Sequence, residues 1–534
     1  MGFPLIWVSY ALLAYAAVSY IRSYLTERRF QQYARQHQCE EARKNTLIKW
    51  PWALDGHWRA MKAVSKGADF FDDVIIPRYE ALNTFTIASK VFGLNVLETI
   101  EPKNLQAILA TNFKDFDLGD QRNKQLGAVL GHSIFTSDGE FWAHSRALFR
   151  PSFNRENINN FEATARAANI LVEVLPEGSG GWTKQVNLMD YFYRFTLDTA
   201  TAFLFGHTTD SQLAAAGRLT TEQDGTSSAA ISQKFEDAFT TAQEWLSLRL
   251  QAGNFYWLVQ GPKWWRARQL VQQFVNQYVE LALNARSQSE KMNSDKENKY
   301  NLLKELATEC GDPIELRDQL TSILGAGRDT TAALLAWIFV ELAKNPRVFS
   351  RLREAILFDF GESEVDVSSI TSSKLKSCRY LQFVIQEALR IHPPVPTNGR
   401  QAIRNTTLPV GGGEDGTKPV AVRKGQTVVY SILGVHKRKD IWGEDADEFR
   451  PERWEGRKIS WSYVPFSGGP RICIGQQYAI TEASFLTVRL LQAFDTIEWR
   501  GETGRITKGF GLTMYPAKGV PVLLRRAAAS RKEE

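Results

Sequence analysis

Cys473 sits in the glycine-rich run Phe466-Ser467-Gly468-Gly469-Pro470-Arg471-Ile472-Cys473-Ile474-Gly475, just before a stretch of helical period that begins near Gln476. Glycines let a backbone bend closely around a bulky group, amide N–H donors in such a turn can point at a sulfur anion, and a following helix N-terminus stabilises its charge. A thiolate prepared in this way suits a metal. Arg471 can pair with a carboxylate belonging to the same bound group. The plain alternative is a buried structural cysteine. Cys39, Cys310 and Cys378 are too few and too scattered for a disulfide framework or for paired thiolate metal motifs.

A second group of residues lies on one long helix. Asp312-Pro313-Ile314-Glu315 has an N-cap, a proline at the first position and an acid at the third, and Asn345-Pro346 ends the run. At 1.5 Å per residue such a helix reaches ~48 Å, enough to cross a whole domain. Midway lies Gly325-Ala326-Gly327-Arg328-Asp329-Thr330-Thr331, where each glycine costs about 1 kcal/mol relative to alanine. Close packing against another helix would account for them, and so would room left for a ligand. Glu387 and Arg390 stand at i and i+3 before Pro393-Pro394, a spacing that alone describes a solvated surface pair. Trp142 and Arg146 share a helix face, as do Trp264 and Arg268.

Taken together these motifs resemble the cytochrome P-450 superfamily. The cysteine run is similar to its haem-binding loop, Ala326 to Thr331 to its oxygen-binding helix motif, and Glu387/Arg390 with Phe449-Arg450-Pro451-Glu452-Arg453-Trp454 to its buried Glu/Arg/Arg network. Their order, Trp142, Ala326, Glu387, Phe449, Cys473, matches throughout. The resemblance implies haem b with Cys473 as the iron ligand. It also implies a cofactor site formed by Phe466, Gly469, Arg471 and Gly475, propionates on Trp142, Arg146 and Arg400, and a structural network of Glu387, Arg390 and Arg453. Thr330 would donate a hydrogen bond to oxygen held at the iron, and Asp329 would help relay protons. Leu324, Ala326, Val395, Leu512 and Thr513 are the expected substrate-pocket wall. Asn112 to Gly119, His144 to Pro151 and Ala326 to Thr331 look like the fungal branch that hydroxylates alkanes and fatty acids. Ala388 and Gly399 depart from that branch, where a threonine and a bulky residue are expected, which leaves chain-length preference and a specialised-metabolite substrate open.

The elements that position these residues are mostly helical. Long segments of period 3.6 are joined by short loops, and strands are predicted only at Phe85–Ala88, Val91–Glu98, Val420–Val422, Thr427–Tyr430 and Val520–Leu524. The expected fold is mainly α with small β-sheets, the cytochrome P-450 fold with an N-terminal transmembrane helix. With 534 residues, 43% hydrophobic and 23% charged, the composition is that of a globular protein able to bury a large core. Its length alone would favour three or four domains. The motif order argues for a single domain.

Residues 3–21 carry no charge and are mostly apolar, nearly enough for a helix to span the ~30 Å hydrocarbon core. Seven basic residues against three acids follow between Arg22 and Lys49, which orients the rest of the chain to the cytoplasm. A cleaved signal peptide would need a basic flank before the apolar run. The expected organisation is a transmembrane signal anchor at 1–21, a basic linker at 22–58 and a haem-thiolate monooxygenase domain at 59–534. By resemblance the membrane is that of the endoplasmic reticulum, crossed once. Phe255, Tyr256, Trp257, Trp264 and Trp265, beside Lys263, Arg266 and Arg268, suit the lipid headgroup layer. No later basic stripe is interleaved with aromatics, so nucleic acid is not an expected partner.

The function expected from all this is insertion of one oxygen atom into an unactivated C–H bond of a small lipophilic substrate. No dinucleotide fingerprint or flavin domain is present, so NADPH acts only indirectly, through a flavoprotein reductase partner. Rival readings on the same fold are tailoring of a specialised metabolite, an oxygen-independent haem isomerase or dehydratase, and a non-catalytic haem-binding membrane protein.

Overall fold

The computed structural model describes residues 3–50, 53–91, 93–153, 161–218, 228–292, 302–362 and 369–528. Helix α1, Phe3–Gln36, runs through the expected boundary at residue 21 because no glycine or proline interrupts 22–36. Arg423 secures its far half to the body, forking onto the Glu27 carboxylate at 2.7 and 2.8 Å and lying 3.9 Å over the Phe30 ring. Other described parts of the expected linker are also folded. Strand β1, Arg43–Lys44, pairs in parallel with β2, Thr86–Val91, and a helix spans Leu54–Ser65.

β2 and β3 (Leu94–Thr99) form a hairpin within a six-stranded sheet that also holds β4 (Phe116–Asp117), β5 (Thr397–Ala402) and β6 (Thr427–Ser431), in the order β1-β2-β3-β6-β5-β4. β5 escapes prediction because, after Thr397, the run Asn-Gly-Arg-Gln-Ala lacks the β-branched and aromatic residues that mark strands. It is a strand through pairing with β6, which places Asn398 and Arg400 where they meet the helices.

The helical body contains α2 (Asp120–Leu130), α3 (Gly139–Phe149), α4 (Leu188–Phe205), α5 (Ser228–Gln251), α6 (Pro262–Met292), α7 (Pro313–Lys344), α8 (Arg379–Ile391) and α9 (Gln476–Ala493). α7 has the predicted 32 residues, with the Asp312 side chain accepting from the Ile314 N–H at 2.9 Å. Among the described residues it is the helix long and apolar enough to cross a membrane, but most of it is buried, as in a core helix.

α7 threads two hydrophobic cores. Its first half, through Leu324, packs with α5 and α6, and its second half, from Ala332, packs with α8 and α9. The stretch Gly325–Thr331 falls between these cores, and the chamber opens there.

Candidate active site

Cys473 ends a tightly folded loop. Its N–H donates to the Phe466 carbonyl at 3.0 Å, and the Ile472 N–H donates to Gly469 at the same distance. Gly469 has φ +64°, and a Cβ there would lie 1.8 Å from the Leu109 carbonyl oxygen, so only glycine fits. Gly475 is different, since a Cβ would make ordinary contact with Phe153 at 3.6 Å. Its contribution is an N–H directed at the cysteine sulfur. The Cys473 thiol is open to solvent and yet ringed by protein, as at the floor of a cleft. Burial pushes its pKa up, while the Gly475 N–H and the Arg146 charge favour the thiolate.

Arginines border the cleft. Arg146, from α3, donates to the Ile472 carbonyl at 3.0 Å. Arg471 donates to Asp138 at 2.7 Å and lies 4.3 Å over the Trp142 ring, so Trp142 orients Arg471. Arg400 donates to the Gly399 carbonyl at 2.8 Å and to Asn398 Oδ1 at 3.3 Å. Arg122 was not expected from sequence. It reaches from α2 to the same Asn398 oxygen at 2.7 Å, and its place in an ordinary polar helix offers no local signal.

Burial, with the neighbouring Arg400 charge contributing, holds Arg122 and Arg471 each down to about 10. The Nε–H groups of Arg122 and Arg471 are buried with no acceptor among the described residues. A soft sulfur, a cradle that excludes a Cβ and buried guanidinium donors lacking acceptors fit a thiolate-bound cofactor that carries carboxylates.

The chamber has a volume of about 590 Å³. Ala326, Asp329, Thr330, Val395, Leu512 and Thr513 line it, together with Arg122 and Arg400. Leu324 does not. It is fully buried in the core beside α5 and α6, because two residues of helix rotate it ~200° from Ala326. A Cβ on Gly325 would press the Phe239 ring at 3.1 Å, so part of the glycine signal is helix packing. The Thr330 hydroxyl donates to the Ala326 carbonyl at 2.6 Å. Burial raises the Asp329 carboxyl, opposed by Arg328, which donates to it at 3.1 Å, and by the Gln243 amide.

Beneath the cysteine loop, Glu387 is fully buried. It accepts from Arg390 at 2.9 Å with both oxygens, from Arg453 Nε at 2.7 Å and from Trp454 Nε1 at 3.0 Å. His436 links this network to the loop. Its Nε2 accepts from the Val464 N–H at 3.0 Å, so Nδ1 carries the proton and donates to the Arg390 carbonyl at 3.1 Å. Burial and the Arg390 charge push its pKa down to about 3, keeping it neutral.

A glycine-cradled thiolate, a bordering set of arginines and a helix with Asp and Thr at a chamber define a haem-thiolate protein. A family model described as Cytochrome P450 matches residues 96–520. Cytochrome P450 monooxygenase g430 of a Fusarium species is 43% identical over 501 residues, 92% of this chain and 85% of the relative. Cytochrome P450 52A4 of Candida maltosa is 45% identical over 425 residues, 79% and 77% of the two chains. Cytochrome P450 52A13 of Debaryomyces hansenii is 40% identical over 495 residues, 91% and 92%. The chain belongs to the cytochrome P450 family, and it is a haem-dependent monooxygenase.

Proposed function

We propose that the protein hydroxylates an aliphatic chain, a fatty acid, alkane or lipid-like metabolite, at or near its terminal carbon. The chamber carries this reading. The residues beside its Asp329 and Thr330 are largely apolar, and its two cations, Arg122 and Arg400, already share Asn398. The motif runs that resemble the alkane- and fatty-acid-hydroxylating fungal branch support it. Cys473 would hold the haem, Arg122, Arg400, Arg471 and Arg146 would meet its carboxylates, and the bound haem would supply the oxygen activation. Thr330 presents a hydroxyl to the chamber, and Asp329, raised by burial, can hold and pass a proton there. Electrons come from NADPH through a flavoprotein reductase docking on the Cys473 side. The relay pair favours this reading over an oxygen-independent isomerase or a non-catalytic haem carrier, neither of which needs it.

The same reading places the protein on the endoplasmic-reticulum membrane, with residues 1–21 as anchor and the body facing the cytoplasm. In α1, apolar Trp7, Leu12, Leu13 and Ile21 are exposed. Phe255, Trp257, Leu258 and Trp265 are exposed as well, and suit the headgroup layer. Trp264 is only 2% exposed and belongs to the core.

The test is a reconstituted assay with reductase over fatty acids and alkanes of graded length, reading product positions by mass spectrometry. Several lengths should be accepted, since one methylene is worth only ~1 to 3 kcal/mol in an apolar pocket. Turnover confined to cyclic or aromatic metabolites would establish the tailoring role instead. In the same assay, Thr330→Ala should keep the haem spectrum and divert NADPH to hydrogen peroxide. Coupling equal to that of the parent would remove Thr330 from the mechanism.

A further inference from the structure

The guanidinium of Arg249, on the last turn of α5, is 5% exposed and has carbonyls and rings for partners among the described residues. Nε donates to the Gln125 carbonyl at 3.0 Å and Nη2 to Lys124 at 3.4 Å, both on α2. Nη1 donates to Tyr256 at 3.3 Å and to Val259 at 3.2 Å, within the turn that follows α5. The Tyr256 and Trp264 rings lie 5.0 and 5.4 Å from its charge. One side chain thus joins the chamber wall formed by α2, the roof formed by α5, the 253–258 turn and the start of α6. Gln125, which lines the chamber, adds a fifth bond, from Nε2 to the Gly253 carbonyl at 3.0 Å.

A buried cation without a counter-charge is an expensive way to hold two helices together. Its value lies in reach and reversibility. A planar fork can address carbonyls on two segments at once, which a lysine ammonium cannot. On separation of the segments, water can take over the guanidinium's N–H donors, so the clasp opens more readily than an apolar seam of the same size. Leu126 and Arg122 on α2 face the chamber opposite Leu246, Ser247 and Gln251 on α5, so separating these helices widens the chamber.

We propose that Arg249 is a positioning residue that holds the α2 wall against the α5 roof and thereby governs passage of bulky molecules into and out of the chamber. The inference rests on the reading of that chamber as haem-bearing.

Two haem-coordinating probes that differ only in bulk test it, imidazole and a trityl-substituted imidazole, followed by stopped-flow shift of the haem absorption band in the full-length holoprotein. In Arg249→Gln, association and dissociation of the trityl probe should accelerate by about threefold or more, with imidazole little changed, because gating acts on size. A general loss of packing would not sort the probes by bulk. Unchanged trityl rates at full haem content would overturn the proposal. Should the variant fail to bind haem, hydrogen exchange in the unaltered protein decides. Amides of 124–130 and 253–259 should open with one common rate, and independent opening would overturn it. A parent protein with no haem band would sink the chamber reading instead, leaving the exchange result to judge the clasp.

Discussion

Replacing Cys473 with Ala should abolish the red-shifted carbon monoxide band of the reduced protein and all turnover. The loop has no substitute. Among the residues 466–475 no other side chain is a soft anion, and Arg146 and Arg471 beside it are cations. Cys310 and Cys378 are buried, and both have pKa values raised by burial. The measurement is a carbon monoxide difference spectrum together with the haem-to-protein ratio. A mutant that keeps the band would refute the ligand assignment outright, whatever its activity.

Glu387→Ala should be nearly as severe, through a different route. It would leave Arg390, whose side chain is 0% exposed, without its carboxylate partner, and Arg453, 1% exposed, with only Asp445 at 3.3 Å. Removing one partner of a buried ion pair costs about 3–5 kcal/mol. A whole domain is stable by only ~5–15 kcal/mol. The loss would pass to the cysteine loop through His436 and Val464, so the variant should be isolated with little haem and a lowered Tm. Glu387→Gln keeps the shape and removes the charge, and should fall between the two. Parent-like haem content and Tm in the alanine variant would show that the network does not support the loop.

The residues legible in sequence are those whose constraint is local. Gly469 is required locally by a positive φ in its own turn, and α7 announces its cap at Asp312 and its end at Asn345. Tertiary constraints leave weaker traces. Arg122 looks like any surface arginine until β5 brings Asn398 to it, and β5 is itself a strand only through its partner β6. The error at Leu324 has another origin. Motif adjacency placed it in the wall, whereas helical phase puts Ser322, Gly325, Ala326, Asp329 and Thr330 on the chamber side. Trp142, expected at a propionate, lies beneath the Arg471 guanidinium and beside the Phe113 ring, contacts that its spacing from Arg146 does not announce. His436 leaves no signal in the sequence because its work is done by two backbone groups that lie far apart in sequence.

Asp138 has a consequence of its own. One carboxylate oxygen accepts from the Leu118 N–H at 2.9 Å and from Arg471 at 2.7 Å, and the other accepts from Gly119 at 3.1 Å. Arg471, two residues from Cys473, and the first residues of the chamber wall therefore hang on the same acid. Two binding events that share such a joint are thermodynamically coupled, and the coupling is reciprocal. Any occupant that steadies the start of α2 must tighten the grip on the haem by the same factor by which the haem tightens the grip on it. An empty chamber would then be the state from which the prosthetic group is most easily lost, and a saturating substrate would act as a preservative of the holoenzyme.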